Sequence, residues 1–293
     1  MKIKFTQFRR FVTMLLLVTA MAMPKMAWAE TYDQNGFAED GSYQPATLTT
    51  DQYDINGDGT IDEVYEIGNA GQLYWFAALV NGKLTDGTSQ NRNACAVLVS
   101  NITVNKNLLN SLDNNGDPTG TVTIESWTPF GYYNSNTEKA CYSGTFDGQG
   151  HSINGLYRKQ PDEGKISFCG VIGGGTIKNV AIIDSYFEGK FDVGGITGLS
   201  YDSGTIINCL YQGIVKGNRL VGGICGAVYY ITISDCFFNG EIRKSGDDQQ
   251  DFGAICGYSA YANHFKNCVY NTDLFNGYAI EDEILEYCTL TSV

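Results

Sequence analysis

Four segments in the second half of this chain repeat one another. The clearest are Val193-Gly194-Gly195-Ile196-x-Gly198, Val221-Gly222-Gly223-Ile224-x-Gly226 and Phe252-Gly253-Ala254-Ile255-x-Gly257, with a weaker forerunner at Phe168-Cys169-Gly170-Val171-Ile172-Gly173. A second signature follows each one: Thr176-Ile177-Lys178-Asn179-Val180, Thr205-Ile206-Ile207-Asn208-Cys209, Thr232-Ile233-Ser234-Asp235-Cys236 and His264-Phe265-Lys266-Asn267-Cys268. Successive starts lie 25, 28 and 31 residues apart. Self-similarity at such a period marks a solenoid, in which each unit packs mainly on its neighbours. Apolar residues within a unit alternate or form short runs, without a 3.6-residue period, so the units are made of strands. One such coil cannot bury its own apolar face. Stacking buries Val193, Ile196, Ile206 and their equivalents against the same positions above and below. The paired glycines suit corners or close approach between coils. The predicted fold is all-β: a right-handed parallel β-helix of about four to six coils.

Upstream, the chain changes character several times. Lys2, Lys4, Arg9 and Arg10 precede an apolar stretch from Phe11 to Met23, and Ala27-Trp28-Ala29 closes it. This is the layout of a secretory signal peptide over residues 1–29, cleaved after Ala29, and the stretch is short for a membrane span. Residues 30–66 read as an acidic leader. Within it, Asp54, Asn56, Asp58 and Asp62 place side-chain oxygens at loop positions one, three, five and nine, Thr60 offers its carbonyl at position seven, and Gly59 permits the sharp turn. That spacing suits Ca²⁺, which takes several hard oxygen ligands at once. Tyr65 stands where a bidentate Glu would complete an EF-hand loop, and an ion-free acidic turn is the alternative. A structural calcium ion is the expectation here.

One helix is predicted over residues 69–81. Asn69 can cap it, Gln72 completes a capping box, Leu73, Phe76, Leu79 and Val80 form one stripe, and Gly82 ends it. A lone helix ahead of a repeat array is placed to cover the open end of its core. Residues 83–93 and 110–120 read as surface loops, Cys95 to Val104 as a strand, and Val122 to Ile124 as another short strand. The β-helix with its capping helix is thus expected over 67–272, and residues 273–293 form a tail.

The V-G-G-I-x-G and I-x-N-C signatures resemble the GLUG repeat of bacterial surface proteins, which also occurs beside the peptidase unit of IgA1-cleaving metallopeptidases. Asn69-Ala70-Gly71-Gln72-Leu73 resembles the helix that opens such arrays. Trp127-Thr128-Pro129-Phe130-Gly131 and Thr145-Phe146-Asp147-Gly148-Gln149-Gly150-His151 resemble their lead-in segments. The resemblance covers roughly residues 65–272. It implies a parallel β-helix and surface or secreted placement, and it implies no reaction.

Chemistry is harder to find. The formal charge is −13, and removing the five positive charges of the signal segment leaves −18. Nucleic acid and anionic lipid bind through Lys and Arg, so neither is expected as a partner. Nine cysteines in an exported chain would ordinarily suggest disulfides. Yet Cys209, Cys236 and Cys268 share one repeat position and Cys225 and Cys256 another, which points to buried, free thiols stacked as ladders. Only two histidines occur, His151 and His264. Asp147, Asp184, Asp202 and Asp235 are the candidates for paired-carboxylate chemistry of the lyase or glycosidase kind; acidic residues in Gly-rich turns are more often solvated. Tyr132-Tyr133, Tyr201, Tyr229-Tyr230, Tyr258 and Tyr261 fall at or beside predicted corners. Aromatic rings with nearby Asn and Asp suit an extracellular glycan or a host or matrix protein. The expected function is a surface adhesin or binding module rather than an enzyme. A ligand-free structural spacer and a polysaccharide-cleaving β-helix enzyme are the alternatives.

Overall fold

A computed structural model describes residues 31–134, 138–246, 250–261, 263–271, 273–274 and 291–292. The predicted signal segment, Cys288 and most of the predicted tail lie outside these residues. The chain is a β-solenoid of about seven turns. One parallel ladder runs through Asp62–Ile67, Cys95–Leu98, Thr145–Asp147, Thr176–Lys178, Gly204–Ile207, Ile231–Ser234 and His264–Lys266. A second holds Cys169–Gly173, Thr197–Asp202, Cys225–Tyr229 and Cys256–Ala260. The third is built around Ala181–Gly194 and Leu210–Gly217. Repeat positions meet as the sequence requires: Ile177 pairs with Ile206, Ile206 with Ile233, and Ile233 with Phe265. Val193 pairs with Val221, and Val221 with Phe252. All of these side chains are buried. The array is longer than the four to six coils expected, because the first turns carry none of the repeat glycines. There Ala96 and Ile177 flank Phe146 on the same ladder.

Close approach explains the motif glycines. A Cβ on Gly195 would lie 2.2 Å from the Tyr211 ring, and one on Gly223 would lie 2.3 Å from the Phe238 ring. Each of these glycines therefore seats an aromatic side chain. Tyr211 in turn stacks on Phe187 and on Phe238, with ring centroids 5.9 and 6.3 Å apart. The later glycine of the motif faces backbone: a Cβ on Gly198 would come within 2.7 Å of the Asp192 carbonyl, and one on Gly257 within 2.7 Å of the Asp251 carbonyl.

The second signature has an equally local cause. Asn179, Asn208, Asp235 and Asn267 turn one corner in the left-handed region, with φ of 55, 52, 54 and 52°. Asn and Asp tolerate that region better than most side chains. Their side chains bridge coils, Asn208 to Asn179 at 2.9 Å and Asn267 to Asp235 at 3.0 Å. The residue after the corner returns to the core. There the thiols of Cys209, Cys236 and Cys268 donate to the carbonyls of Ile177, Ile206 and Ile233 on neighbouring coils, at 3.6, 3.8 and 3.6 Å. The described cysteines are all free, and all but Cys95 are buried.

The helix, α1, spans Ala70–Asn81. Asn69 caps it by accepting from the Gln72 amide at 2.9 Å, and Gly82 closes it at φ 65°. The Gln72 side chain reaches back to the Gly68 amide at 2.7 Å, one residue upstream of the capping-box partner. Phe76 meets Phe130, Tyr142 and Phe146, so α1 and the lead-in segments together plug the first turns with aromatic rings. Trp127 is fully buried and donates its indole N–H to the Phe168 carbonyl at 3.0 Å.

Three sequence expectations need correction. The stretch read as a leader is folded. Thr47–Tyr53 pairs antiparallel with Asp62–Ile67, which is already the first rung of a ladder. Phe37 and Tyr43 pack on Tyr74, so this segment roofs α1 and leaves the helix buried nearly all round rather than along one stripe. The strand expected over Cys95 to Val104 is broken into Cys95–Leu98 and Ile102–Thr103, because the coil turns a corner between them. Val122 to Ile124 forms no strand: Val122 is exposed, and pairing resumes only at Ser126, opposite Tyr157.

Candidate functional site

The tyrosines come together where the second ladder turns into the first. Cys225–Tyr229 ends at Tyr229, Tyr230 makes the corner at φ 56°, and Ile231 opens the next strand. On the following coil Tyr258 lies within Cys256–Ala260, and Tyr261 takes φ 66°. Tyr230 and Tyr261 stack with centroids 5.1 Å apart and planes 7° from parallel. Tyr229 joins them, 5.8 Å from Tyr261 and 6.2 Å from Tyr258. Tyr201 occupies the preceding coil, next to Ser200, whose ladder partner is Val228. Tyr201, Tyr230 and Tyr261 are 50, 48 and 65% exposed, while Tyr229 and Tyr258 are half-buried against Leu199 and Ala227. The structure thus gathers Tyr229, Tyr230, Tyr258 and Tyr261 into one cluster, with Tyr201 one coil away. Tyr132, at the start of Tyr132–Asn134, belongs to a separate two-stranded hairpin.

Asn263 fixes this corner. Its carbonyl accepts from the Ile231 amide at 2.9 Å, and its amide donates to the Ala260 carbonyl at 2.7 Å and the Ser259 hydroxyl at 2.9 Å. A buried carboxylate lies nearby. Asp192 sits at φ 54° with Lys165 3.8 Å away. Burial pushes its carboxyl up to about 6, against the pull of Lys165 and Arg219. Burial also raises the Tyr229 phenol, with smaller contributions from Tyr258 and Asp192.

Asp54, Asn56, Asp58, Thr60 and Asp62 share the turn between Thr47–Tyr53 and Asp62–Ile67. Their oxygens face the turn's own amides. Asp54 accepts from Gly57 and Gly59 at 2.8 and 2.9 Å, Asn56 from Asp58 at 2.9 Å, and Asp62 from Ile55 at 3.0 Å. Asp58 accepts from both the amide and the hydroxyl of Thr60. Among the described residues, no group of three or more His, Cys, Asp or Glu is arranged to hold a metal ion.

The other carboxylates accept hydrogen bonds from their own turns or from neighbouring segments. Asp147 is buried and accepts from Gln149 and Asn179. Asp184 accepts from the Leu108 and Leu109 amides at 2.7 and 3.1 Å. Asp202 accepts from the Ser203 amide, and Asp235 from Asn267. A cluster that sequence reasoning missed lies on the third ladder. The Tyr186 hydroxyl donates to Glu188 at 2.6 Å, and Glu188 pairs with Lys216 at 2.9 Å. Tyr157, stacked on Tyr186, donates to the Gly116 carbonyl at 2.9 Å and straps the 110–120 loop across the coils. Burial, with the charges of Asp117 and Glu188, pushes the Tyr157 phenol up to about 12. Only the register reveals this group, since its members are 28 or more residues apart along the chain except for Tyr186 and Glu188.

One complete coil, residues 217–243, matches the GLUG motif. This stretch of the chain carries a GLUG motif. The matched coil includes Tyr229 and Tyr230, half of the aromatic cluster. The chain is also 30% identical over 175 residues, 59% of its length, to the halomucin of Haloquadratum walsbyi (strain DSM 16790 / HBSQ001), of which it spans 2%. The motif and this relative support an extracellular or surface repeat protein. A crystal structure from Bacteroides ovatus, of a protein assigned as an immunoglobulin A1 protease, aligns over 78% of this chain and 77% of that one. Its TM-score is 0.36 at 16% identity, too distant to compare coil with coil. No described helix is long and apolar enough to cross a membrane.

Proposed function

We propose that this GLUG-repeat chain is an extracellular binding module whose tyrosine corner contacts a glycan or a host or matrix protein. The observation that carries the reading is the exposed Tyr230–Tyr261 stack. Holding a non-glycine residue in the left-handed region costs about 1–3 kcal/mol, and an earlier turn of the same corner uses Gly174, at φ 89°, instead. Large rings in that costly conformation, 48 and 65% exposed, do little for the core. They offer flat apolar edges and hydroxyls in one place, with Asn263 holding the backbone beneath them.

The stack has a consequence for recognition. Tyr230 and Tyr261 cover each other's facing sides, so a ligand meets ring edges, hydroxyls and the outer side of the stack. The test is retention of the exported chain on mucins, plant polysaccharides and matrix proteins. Saturable retention supports a binding module, product release would instead support a polysaccharide-cleaving enzyme, and neither would leave the spacer role. A structural calcium ion in the Asp54–Asp62 turn is a separate proposal, supported by the oxygen spacing alone. An unchanged melting temperature in chelator and in excess Ca²⁺ would refute it.

A further inference from the structure

The roof over α1 leaves a groove. Two adjoining cavities of about 220 and 240 Å³ lie between α1, the segment above it and the loop that follows it. Tyr43, Ala78 and Lys83 border both; Asn81 and Thr128 line one end, and Trp75 lines the other. Each lobe is smaller than the roughly 300 Å³ at which drug-sized sites begin. Together they form a short two-compartment cleft, with the Tyr43 ring and the small Ala78 side chain at the waist. The lining combines aromatic and methyl surface with an ammonium, a carboxamide and a hydroxyl. Lys83 and Asp86 both line the second lobe, so no single charge sign dominates there. Beneath Tyr43, 5.5 Å away centre to centre, the Tyr74 hydroxyl is buried with no hydrogen-bond partner among the described residues. A buried hydroxyl left so is costly, and Tyr74 itself lines the first lobe.

We infer that this cleft is a second binding site, for a neutral disaccharide unit, one sugar ring to each lobe. It is independent of the tyrosine corner, being built from the opposite end of the solenoid. A sugar ring has the matching chemistry: an apolar C–H side for Tyr43 and Trp75, and hydroxyls for Lys83 and Thr128, the Asn81 carboxamide being held by the Pro129 carbonyl and the Gly131 amide.

The exported chain, purified after secretion, is titrated calorimetrically with maltose, cellobiose, lactose and N,N′-diacetylchitobiose, each beside its monosaccharide. At least one disaccharide is expected to bind about tenfold or more tightly than its monosaccharide, as a second occupied lobe requires. Ala78→Trp, at a partly exposed position on the helix flank, fills the waist and is expected to abolish binding at an unchanged melting temperature. Lys83→Ala, at an exposed position, is expected to weaken binding several-fold, and Tyr230→Ala to leave it as it was. The inference is overturned if none of the four disaccharides binds, or if folded Ala78→Trp binds as the parent does. Should Ala78→Trp fail to fold, an unchanged affinity in Lys83→Ala overturns it. Loss of binding in Tyr230→Ala would also overturn it, by assigning the sugar to the corner.

Discussion

Asp192→Asn should stabilise this protein at neutral pH, although it removes one partner of an ion pair. The Asp192 carboxyl rises on folding from its ordinary 3.8 to about 6, because burial outweighs the pull of Lys165 and Arg219. Lys165 stands 3.8 Å away, beyond hydrogen-bond length, so the carboxylate is poorly compensated. A group whose pKa rises on folding binds its proton more tightly in the folded state. Its charged form therefore opposes folding, and stability is lost as pH rises through about 6. At 1.36 kcal/mol per unit the penalty is at most about 3 kcal/mol, and about 1–3 kcal/mol is the working range. Asparagine keeps the volume and accepts the left-handed φ of 54°. Differential scanning fluorimetry should show the variant melting roughly 2–12 °C above the parent at pH 7.5, taking about 2–4 °C per kcal/mol for a chain of this size. The gain should shrink through pH 6 and vanish below pH 4, where the parent carboxyl is protonated in both states. A variant that melts lower at pH 7.5 would show the ion pair outweighing burial. A gain that is the same at pH 4 and 7.5 would refute the electrostatic argument altogether.

Gly195→Ala should cost about 2–3 kcal/mol or more, because its Cβ would meet both the Tyr211 ring at 2.2 Å and the Gly223 carbonyl at 2.4 Å; an unchanged denaturation midpoint would contradict the packing account of the motif. Asn69→Ala should cost about 1 kcal/mol by removing the cap of α1, lowering the melting temperature by about 2–4 °C. Burial pushes the thiols of Cys169, Cys225 and Cys256 upward, away from the reactive thiolate. Among the described cysteines, a thiol reagent should therefore reach no further than Cys95 in the folded chain, and the rest only on unfolding. Non-reducing mass spectrometry that found most of the cysteines paired would contradict the free-thiol reading.

The repeats made the solenoid legible before any coordinates. Val193, Val221 and Phe252 are in register because stacking like on like is the only way such coils bury their apolar faces. The cap of α1 was legible as Asn69 with Gln72, whereas the recurring Asn of the second signature showed only repetition, and its left-handed corners at Asn179, Asn208 and Asn267 came from the structure, corners having been expected at the paired glycines. The folding of residues 31–66 was not legible, since Phe37 and Tyr43 have no period of their own and their burial depends on Tyr74, three dozen residues on. Gln72 looked like half of a capping box, and the chain's path over the helix gave it Gly68 instead. At the candidate site, sequence placed the tyrosines at corners. It could not show that Tyr230 and Tyr261 stack, because that depends on the left-handed turn each takes and on the extra residues of the last coil. The Tyr186–Glu188–Lys216 group was hidden for the same reason: strand register alone joins it.

The most direct measurement is a binding isotherm of the parent and of the Tyr230→Ala/Tyr261→Ala pair on the ligand that best retains the exported chain. The account predicts saturable binding by the parent, and loss of at least about tenfold in affinity, roughly 1.4 kcal/mol, in the variant at an equal or higher melting temperature. Equal binding by both would contradict the assignment of the corner, and a parent retained by nothing would leave the coils as spacers.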